Sequence, residues 1–304
     1  MLSYAARRQL LFVPCRCRSI STTPQTVPVP LLKDPSIEYF RREYFVQEKP
    51  VLFPRGHFTA LPAISKWFHS IRDTPKPSAA INVSYLKQYG DTFVPMELTE
   101  THGSSNGSHI EFTRLTAPLL MFLHGSAAKS LGLNAQASNS RLYIAQCPLS
   151  DLPSELQEDL PTPEVVKEAG RGDVYDSSIW LGRAPTYTPL HKDPNPNLFV
   201  QLAGRKAARL INPEDGETLY REVRRKTGEN RGSASFRGDE MMAGQERKVL
   251  EEAVWGSAGQ NSQGEKLIDA ELGPGDGIFI PKGWWHSIKS VDEGMIGSVN
   301  WWFR

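Results

Sequence analysis

The stretch TPLHKDPNPNLFVQLAGRK, residues 188–206, contains the pattern on which the fold and the chemistry of this chain depend. His191 and Asp193 stand two residues apart, prolines follow them, and an apolar run at 197–204 leads to Lys206. In an extended segment, residues i and i+2 project from the same face, so the imidazole and the carboxylate can share one metal ion. The apolar run has the composition of a buried strand. The stretch therefore predicts a ligand-bearing segment that continues into a β core.

The overall composition is that of an ordinary globular protein. The 304 residues are 39% hydrophobic and carry a formal net charge of +1, which gives no overall field towards nucleic acid. No apolar run reaches the ~18 residues that a membrane span needs. The cysteines, Cys15, Cys17 and Cys147, form neither a disulfide framework nor a zinc ribbon by their spacing. We expect neither nucleic acid nor a membrane as partner.

The first thirty residues differ from the rest. They are rich in Arg, Ser and Thr, and the first acidic residue of the chain is Asp34. Such a composition is typical of an organelle transit peptide, although a disordered tail can share it. We expect residues 1–30 to be a transit peptide and the protein to be mitochondrial, with the cytoplasm or nucleus as the alternative.

Two regions follow the leader. Residues 31–140 mix helical and strand patterns and are expected to support the core. Helices are predicted over 34–49, 63–71 and 117–133, strands over 50–54 and 90–100, and a polar loop at 101–109.

From Arg141 onwards, short apolar runs alternate with Gly, Pro and Asp. The predicted strands are 141–146, 177–182, 197–204, 207–212, 276–281 and 297–303. This pattern favours a mainly β jelly roll, a double-stranded β-helix, over 141–304. Residues 214–265 are polar and are predicted to be a long insertion between strands, with one helix at 240–255.

A third ligand is expected from His286, in the segment GPGDGIFIPKGWWHSI at 273–288. It lies at the end of the β run there, and a second strand can bring a third ligand across the barrel. Two histidines and one carboxylate on one face form the triad of non-haem Fe(II) oxygenases, and zinc hydrolases can use the same ligands. Lys206 is either a solvated strand end or a cation for the far carboxylate of a dicarboxylate co-substrate.

The sequence resembles the JmjC-type (cupin-like) Fe(II)- and 2-oxoglutarate-dependent oxygenases. It is most similar to the branch that contains the asparaginyl hydroxylase of hypoxia-inducible factor. The matching blocks, in order, are RLYIAQ at 141–146, TPLHKDPNPNLFVQLAGRKAARLINP at 188–213, IFIPKGWWHSI at 278–288 and VNWWF at 299–303.

The resemblance implies Fe(II), 2-oxoglutarate and O₂ as cofactor and co-substrates, and it assigns roles to nine residues. The metal ligands and catalytic residues are His191, Asp193 and His286. Lys206 pairs with the outer carboxylate of 2-oxoglutarate, and Thr188 and Tyr143 donate hydrogen bonds to that carboxylate. The remaining pocket residues are Asn197, Asn300 and Trp302. Trp284 and Trp285 are expected to pack the barrel.

The expected function is hydroxylation of a protein side chain, with conversion of 2-oxoglutarate to succinate and CO₂. The alternatives are a JmjC-type demethylase, a cupin-like module that binds metal or ligand without turnover, and an isomerase or hydrolase on the same fold. Asparaginyl hydroxylation itself is not carried over, because the insertion at 214–265 has no counterpart in that branch. Arg304 directly follows the last predicted strand, so we expect no dimerisation through C-terminal helices and leave the oligomeric state open.

Overall fold

The computed structural model describes residues 26–71, 78–104, 107–130, 140–228, 245–256 and 267–304. Within these ranges the strands are β1 (Val27–Pro28), β2 (Val51–Leu52), β3 (Phe68–Ile71), β4 (Ser78–Ile81), β5 (Phe93–Ser104), β6 (Gly107–Pro118), β7 (Ser140–Pro148), β8 (Val174–Arg183), β9 (Tyr187–Lys192), β10 (Asn197–Ala203), β11 (Lys206–Ile211), β12 (Ile268–Leu272), β13 (Gly277–Ile280), β14 (Trp285–Ser290) and β15 (Met295–Phe303). The α-helices are α1 (Ile37–Phe40), α2 (Pro62–Lys66), α3 (Val83–Leu86), α4 (Leu119–Ser130), α5 (Ser154–Glu158), α6 (Glu164–Glu168), α7 (Pro213–Thr227) and α8 (Gln245–Trp255). Short helical turns cover Arg41–Phe45, Lys87–Tyr89 and Leu149–Asp151. None of the helices in these ranges has both the length and the apolar character needed to cross a membrane.

Two large sheets dominate the described part of the chain. One has five strands in the order β1-β12-β11-β14-β9, and the other has eight in the order β2-β13-β10-β15-β8-β7-β5-β6. Neighbours pair antiparallel, except β1 with β12. Side chains of both sheets meet in one buried cluster, in which Phe199 and Ile278 pack with Leu210. This arrangement confirms the predicted fold class, a mainly β cupin-type jelly roll.

Strand β10 lies inside the eight-stranded sheet and is buried along its whole length. Its two faces serve different layers, as expected for a strand covered on both sides. Phe199 points between the two sheets, whereas Leu198 and Val200 belong to a second cluster on the outer face. The N-terminal elements supply much of that cluster, including Phe53 and Trp67. Residues before β7 therefore cover the outer face of the eight-stranded sheet, whose inner face carries half of the candidate site.

A buried carboxylate joins these N-terminal elements. Asp159, which has no exposed surface, accepts hydrogen bonds from Lys66 Nζ at 2.5 Å, Trp67 Nε1 at 2.8 Å and the Tyr85 hydroxyl at 2.6 Å. A buried charge is tolerated when donors of this kind surround it. Asp159 thereby links the regions of α2, α3 and α5.

The connection between β11 and β12 contains two helices that cover the outer face of the five-stranded sheet. Helix α7 begins at the cap Asn212, whose side chain accepts from two backbone amides, and ends at Gly228 in the left-handed region. Leu219 of α7 and Leu250 of α8 pack with the strand residue Trp285. The sequence predicts one helix at 240–255; α8 lies within that range, and α7 is additional.

Other predicted elements differ from the structure. The helix predicted over 63–71 is correct only for α2, because the following residues form β3 and pair with β4. Strands β1, β4, β6, β9, β12 and β14 are absent from the prediction. Folded structure also begins within the predicted leader, since Val27 and Pro28 pair with β12 and Val29 is buried. Residues 1–25 of the predicted transit peptide lie outside the described residues.

Candidate metal centre

The two predicted histidine ligands lie side by side on neighbouring strands. His191 of β9 is directly opposite His286 of β14, and their ring centroids are 4.1 Å apart. Asp193 follows β9 immediately. His286 does not lie at the end of the predicted β run: β13 ends at Ile280, and a turn places His286 on a separate strand, which lies beside β9 in the same sheet.

A β-bulge separates Thr188 from His191. Two residues of β9, Pro189 and Leu190, oppose the single residue Ser287 of β14. In a regular strand, residues three apart project to opposite faces, whereas the extra residue of a bulge returns them to the same face. Thr188 and His191 consequently both line one pocket between the sheets.

The three ligand side chains converge in this pocket. His191 Nε2 lies 3.9 Å from Asp193 Oδ1, and His286 Nε2 lies 3.7 Å from Asp193 Oδ2. One ligand atom from each residue lies within 4.8 Å of the other two. His286 is almost fully buried, and the other two are partly so. The spacing and the donor types fit a divalent transition metal ion.

Backbone contacts fix the orientation of both imidazoles. Nδ1 of His191 lies 2.9 Å from the carbonyl of Pro189, and Nδ1 of His286 lies 3.0 Å from the carbonyl of Trp284. Since a carbonyl only accepts, each Nδ1 carries the proton, and the neutral ring keeps its lone pair on Nε2. The two Nε2 atoms face Asp193. This is the arrangement that orients metal-binding histidines in known sites.

The carboxylate of Asp193 is held from the opposite sheet. Its Oδ2 accepts from Asn197 Nδ2 at 2.9 Å and from Trp302 Nε1 at 2.8 Å. Burial raises the pKa of Asp193, but the charge that the His286 and His191 rings carry when they are protonated, together with these hydrogen bonds, outweighs burial, and the pKa lies below its usual value. A bound cation acts in the same direction as those charges.

The expected co-substrate residues line the same pocket. Lys206, Thr188 and Tyr143 all contribute to it, and Lys206 is only 4% exposed. The Lys206 ammonium donates to the Ser298 hydroxyl at 2.9 Å and lies 5.3 Å from the ring centroid of Phe199. A buried ammonium of this kind suits a ligand carboxylate.

Two glycines shape this end of the pocket. The sequence predicts Lys206 at the end of the strand that became β10. In the structure it begins β11 instead, because the chain turns at Gly204 with φ of +63°. Gly182 lies opposite Tyr143 in the β7–β8 pair, and a Cβ there would overlap the Tyr143 ring. The absence of a side chain at 182 therefore sets the position of Tyr143.

An amide pair closes the floor of the pocket. Asn300 Nδ2 donates to Asn197 Oδ1 at 2.9 Å. Asn300 Oδ1 is buried and has no hydrogen-bond partner among the described residues. A buried acceptor in a pocket wall is consistent with a site that receives a polar ligand.

All nine predicted residues thus line one pocket, while their individual roles stay predictions. Sequence reasoning missed Trp180, Phe199, Ile288 and Ser298. Strand alternation identifies two of them, because Phe199 shares a face with Asn197, and Ser298 shares one with Asn300. Trp285 is fully buried in the core, and the Trp284 indole donates to the backbone of Glu48.

A histidine–carboxylate–histidine site inside an antiparallel double-sheet barrel defines the cupin class of metal-binding proteins. The profile of the cupin-like domain matches residues 37–304, and the chain belongs to that family, with JmjC-type relatives. Lysine-specific demethylase 8 of Xenopus tropicalis is 27% identical over 94% of this chain and 55% of that protein. Lysine-specific demethylase 8 of Danio rerio is 27% identical over 94% and 61%, and Jumonji C domain-containing protein 5 of Drosophila melanogaster is 26% identical over 91% and 60%.

The chain spans between about half and three fifths of the length of these relatives. The similarities support the cupin-like JmjC family as a whole. They do not single out the branch of the asparaginyl hydroxylase of hypoxia-inducible factor, so that finer resemblance stays a prediction.

Proposed function

We propose that this protein is an Fe(II)- and 2-oxoglutarate-dependent oxygenase that oxidises a C–H bond of a protein side chain. The observation that carries the proposal is the presence of the His191–Asp193–His286 triad and the buried ammonium of Lys206 in one pocket. A hydrolase or isomerase needs the triad but has no evident use for Lys206 beside it.

Each end of the pocket has its own task. His191, Asp193 and His286 would hold Fe(II), and three protein ligands leave coordination positions for co-substrates. Lys206 would bind the outer carboxylate of 2-oxoglutarate, assisted by the hydroxyls of Thr188 and Tyr143. When bound, Fe(II) supplies the redox chemistry that couples decarboxylation of 2-oxoglutarate to substrate oxidation with O₂.

The fate of the oxidised carbon decides between demethylation and hydroxylation. The names of the Xenopus and Danio relatives favour demethylation of a methylated lysine over the side-chain hydroxylation that the sequence analysis placed first. The chemistry differs only after C–H oxidation: a hydroxylated N-methyl group releases formaldehyde, whereas a hydroxylated side-chain carbon is stable. We therefore propose lysine demethylation, with protein hydroxylation as the second candidate, supported by the block-wise resemblance at 141–213 and 272–303.

The co-substrate test needs no knowledge of the protein substrate. Anaerobic protein with Fe(II) should develop a visible charge-transfer absorption on addition of 2-oxoglutarate, and His191→Ala should abolish it. Metal bound without this absorption would contradict the proposal and favour a binding module or a hydrolase.

The outcome test uses methylated and unmethylated peptide libraries under air. Formaldehyde release with loss of a methyl group would establish demethylation, and gain of one oxygen atom would establish hydroxylation. Succinate formation without either product, in the presence of every library, would contradict both peptide activities.

A further inference from the structure

Helix α8 contacts the ligand strands from outside the barrel, at the bulge described above. Trp255, its last residue, donates from Nε1 to the Ser287 hydroxyl at 2.9 Å. The Ser287 hydroxyl in turn donates to the backbone carbonyl of Thr188 at 2.8 Å. Ser287 has no exposed surface. Two hydrogen bonds in series therefore join α8 to the residue at which β9 leaves the regular ladder.

The bulge needs support of this kind. A bulge interrupts the ladder of backbone hydrogen bonds, and Pro189 has no N–H to contribute to it. Ser287 occupies the β14 position that faces the two residues of the bulge, and its side chain donates to the Thr188 carbonyl there. Loss of this bond would weaken the hold on the backbone at the bulge.

The tryptophan is itself held in place by two cations. The Arg209 guanidinium lies 4.6 Å and the Lys289 ammonium 4.2 Å from the centroid of the Trp255 ring. Arg209 also donates to the backbone carbonyl of Val254. These residues belong to β11 and β14, so Trp255 is clamped against the same sheet that carries both histidines.

We propose that Trp255 is a positioning residue that acts through Ser287 to hold the bulge between Thr188 and His191. The bulge sets the distance between the co-substrate end of the pocket and its metal end. The inference rests on the proposed function and deepens it, because it gives the segment between β11 and β12 a task in the site. Residues 214–265 of that segment have no counterpart in the branch that this sequence resembles.

The variant Trp255→Phe tests this by removing the indole donor while keeping an aromatic ring between the two cations. We expect the Kd for 2-oxoglutarate, measured by the anaerobic charge-transfer absorption, to rise about three- to tenfold, as loss of one ordinary hydrogen bond predicts. Ser287→Ala should have a similar effect, and the double variant should be no worse than the more affected single variant, because both break one chain. Ser287→Thr, which keeps the hydroxyl, should restore binding.

A second readout needs neither metal nor co-substrate. In the metal-free protein, hydrogen exchange of the peptide spanning 186–193 should accelerate in Trp255→Phe, while exchange in β10 stays unchanged. The matched control is Trp67→Phe, which removes a buried indole donor to Asp159 in the N-terminal layer. It should lower the melting temperature without changing either readout at the bulge.

The outcomes separate the two proposals. If wild-type protein binds Fe(II) but shows no charge-transfer absorption with 2-oxoglutarate, the oxygenase proposal fails. Hydrogen exchange at 186–193 still tests whether Trp255 holds the bulge. If wild-type protein shows the absorption while Trp255→Phe and Ser287→Ala match it in affinity and in exchange at 186–193, the positioning role of Trp255 is overturned. Fully additive effects in the double variant would also overturn it.

Discussion

Replacing Lys206 with methionine separates ligand binding from stability, because the structure gives this ammonium opposite effects on the two. Lys206 is 4% exposed, and its charge is compensated inside the protein by contacts that include the Ser298 hydroxyl and the Phe199 ring. Keeping an ammonium buried costs free energy, and methionine fills nearly the same space without the charge.

The expected magnitudes follow from those contacts. Loss of one hydrogen bond and one cation–π contact costs about 1 kcal/mol each, and relief of desolvation offsets both. We therefore expect the melting temperature of the metal-free protein to stay within about 3 °C of wild type. A water-shielded ammonium–carboxylate pair contributes about 2–5 kcal/mol, so the Kd for 2-oxoglutarate should rise by about thirtyfold to several thousandfold.

The assay is an anaerobic titration of the Fe(II)-loaded protein with 2-oxoglutarate, followed by its visible absorption, alongside calorimetry without metal. Lys167→Met, the same change at an exposed position on α6, is the control and should leave both quantities unchanged. A Kd for Lys206→Met within about twofold of wild type would refute the reasoning.

Four further outcomes are expected. Asp159→Asn removes a buried charge that three donors contact, and it should destabilise the protein by about 3 kcal/mol. Calorimetry should show a melting temperature lower by roughly 5 °C, while the Kd for 2-oxoglutarate stays unchanged. An unchanged melting temperature would contradict the described network. Gly182→Ala should displace Tyr143 and weaken 2-oxoglutarate binding about tenfold in the same titration, whereas unchanged binding would show that Tyr143 is not a ligand. Burial raises the pKa of Cys147 to about 12, so its thiol should resist iodoacetamide at neutral pH until the protein is unfolded, as peptide mapping will show; rapid labelling of folded protein would contradict its burial. A fluorescent fusion of residues 1–30 should enter mitochondria, and a diffuse cytosolic signal would reject the transit peptide.

Much of the barrel is predictable because its signals are local. The run at 197–204 is apolar except for Asn197 and Gln201, and it forms a strand buried on both sides. The ligand pair His191 and Asp193 is recognisable because two residues of spacing already bring both side chains to one face.

His191 and His286 are far apart in the sequence, and the sequence alone does not predict that their strands pair. Pro281 and Gly283 indicate a turn after β13, but nothing near residue 286 indicates that its strand will pair with β9. The bulge at Pro189 is likewise decided by cross-strand pairing. A similar cause explains β3, where residues with a helical pattern form a strand because β4 offers a partner.

Helix α7 is a different case, because its signals are present in the sequence. Asn212 and Pro213 mark a helix start, and Gly228 marks an end. Most residues between Pro213 and Gly228 are polar. The composition of the segment therefore does not reveal its single narrow apolar stripe, which contains Leu219 and Val223.

The irregularity of β9 has a consequence for the behaviour of the molecule in concentrated solution. In the described residues β9 ends the five-stranded sheet, with β14 as its only strand neighbour. A straight border strand offers its unsatisfied amides and carbonyls to any similar strand of another molecule, which is a common origin of aggregation. In β9 the bulge at Pro189 and Leu190 breaks the regular register that pairing with such a strand would require. The geometry that aims Thr188 and His191 inwards therefore also discourages self-association at this border.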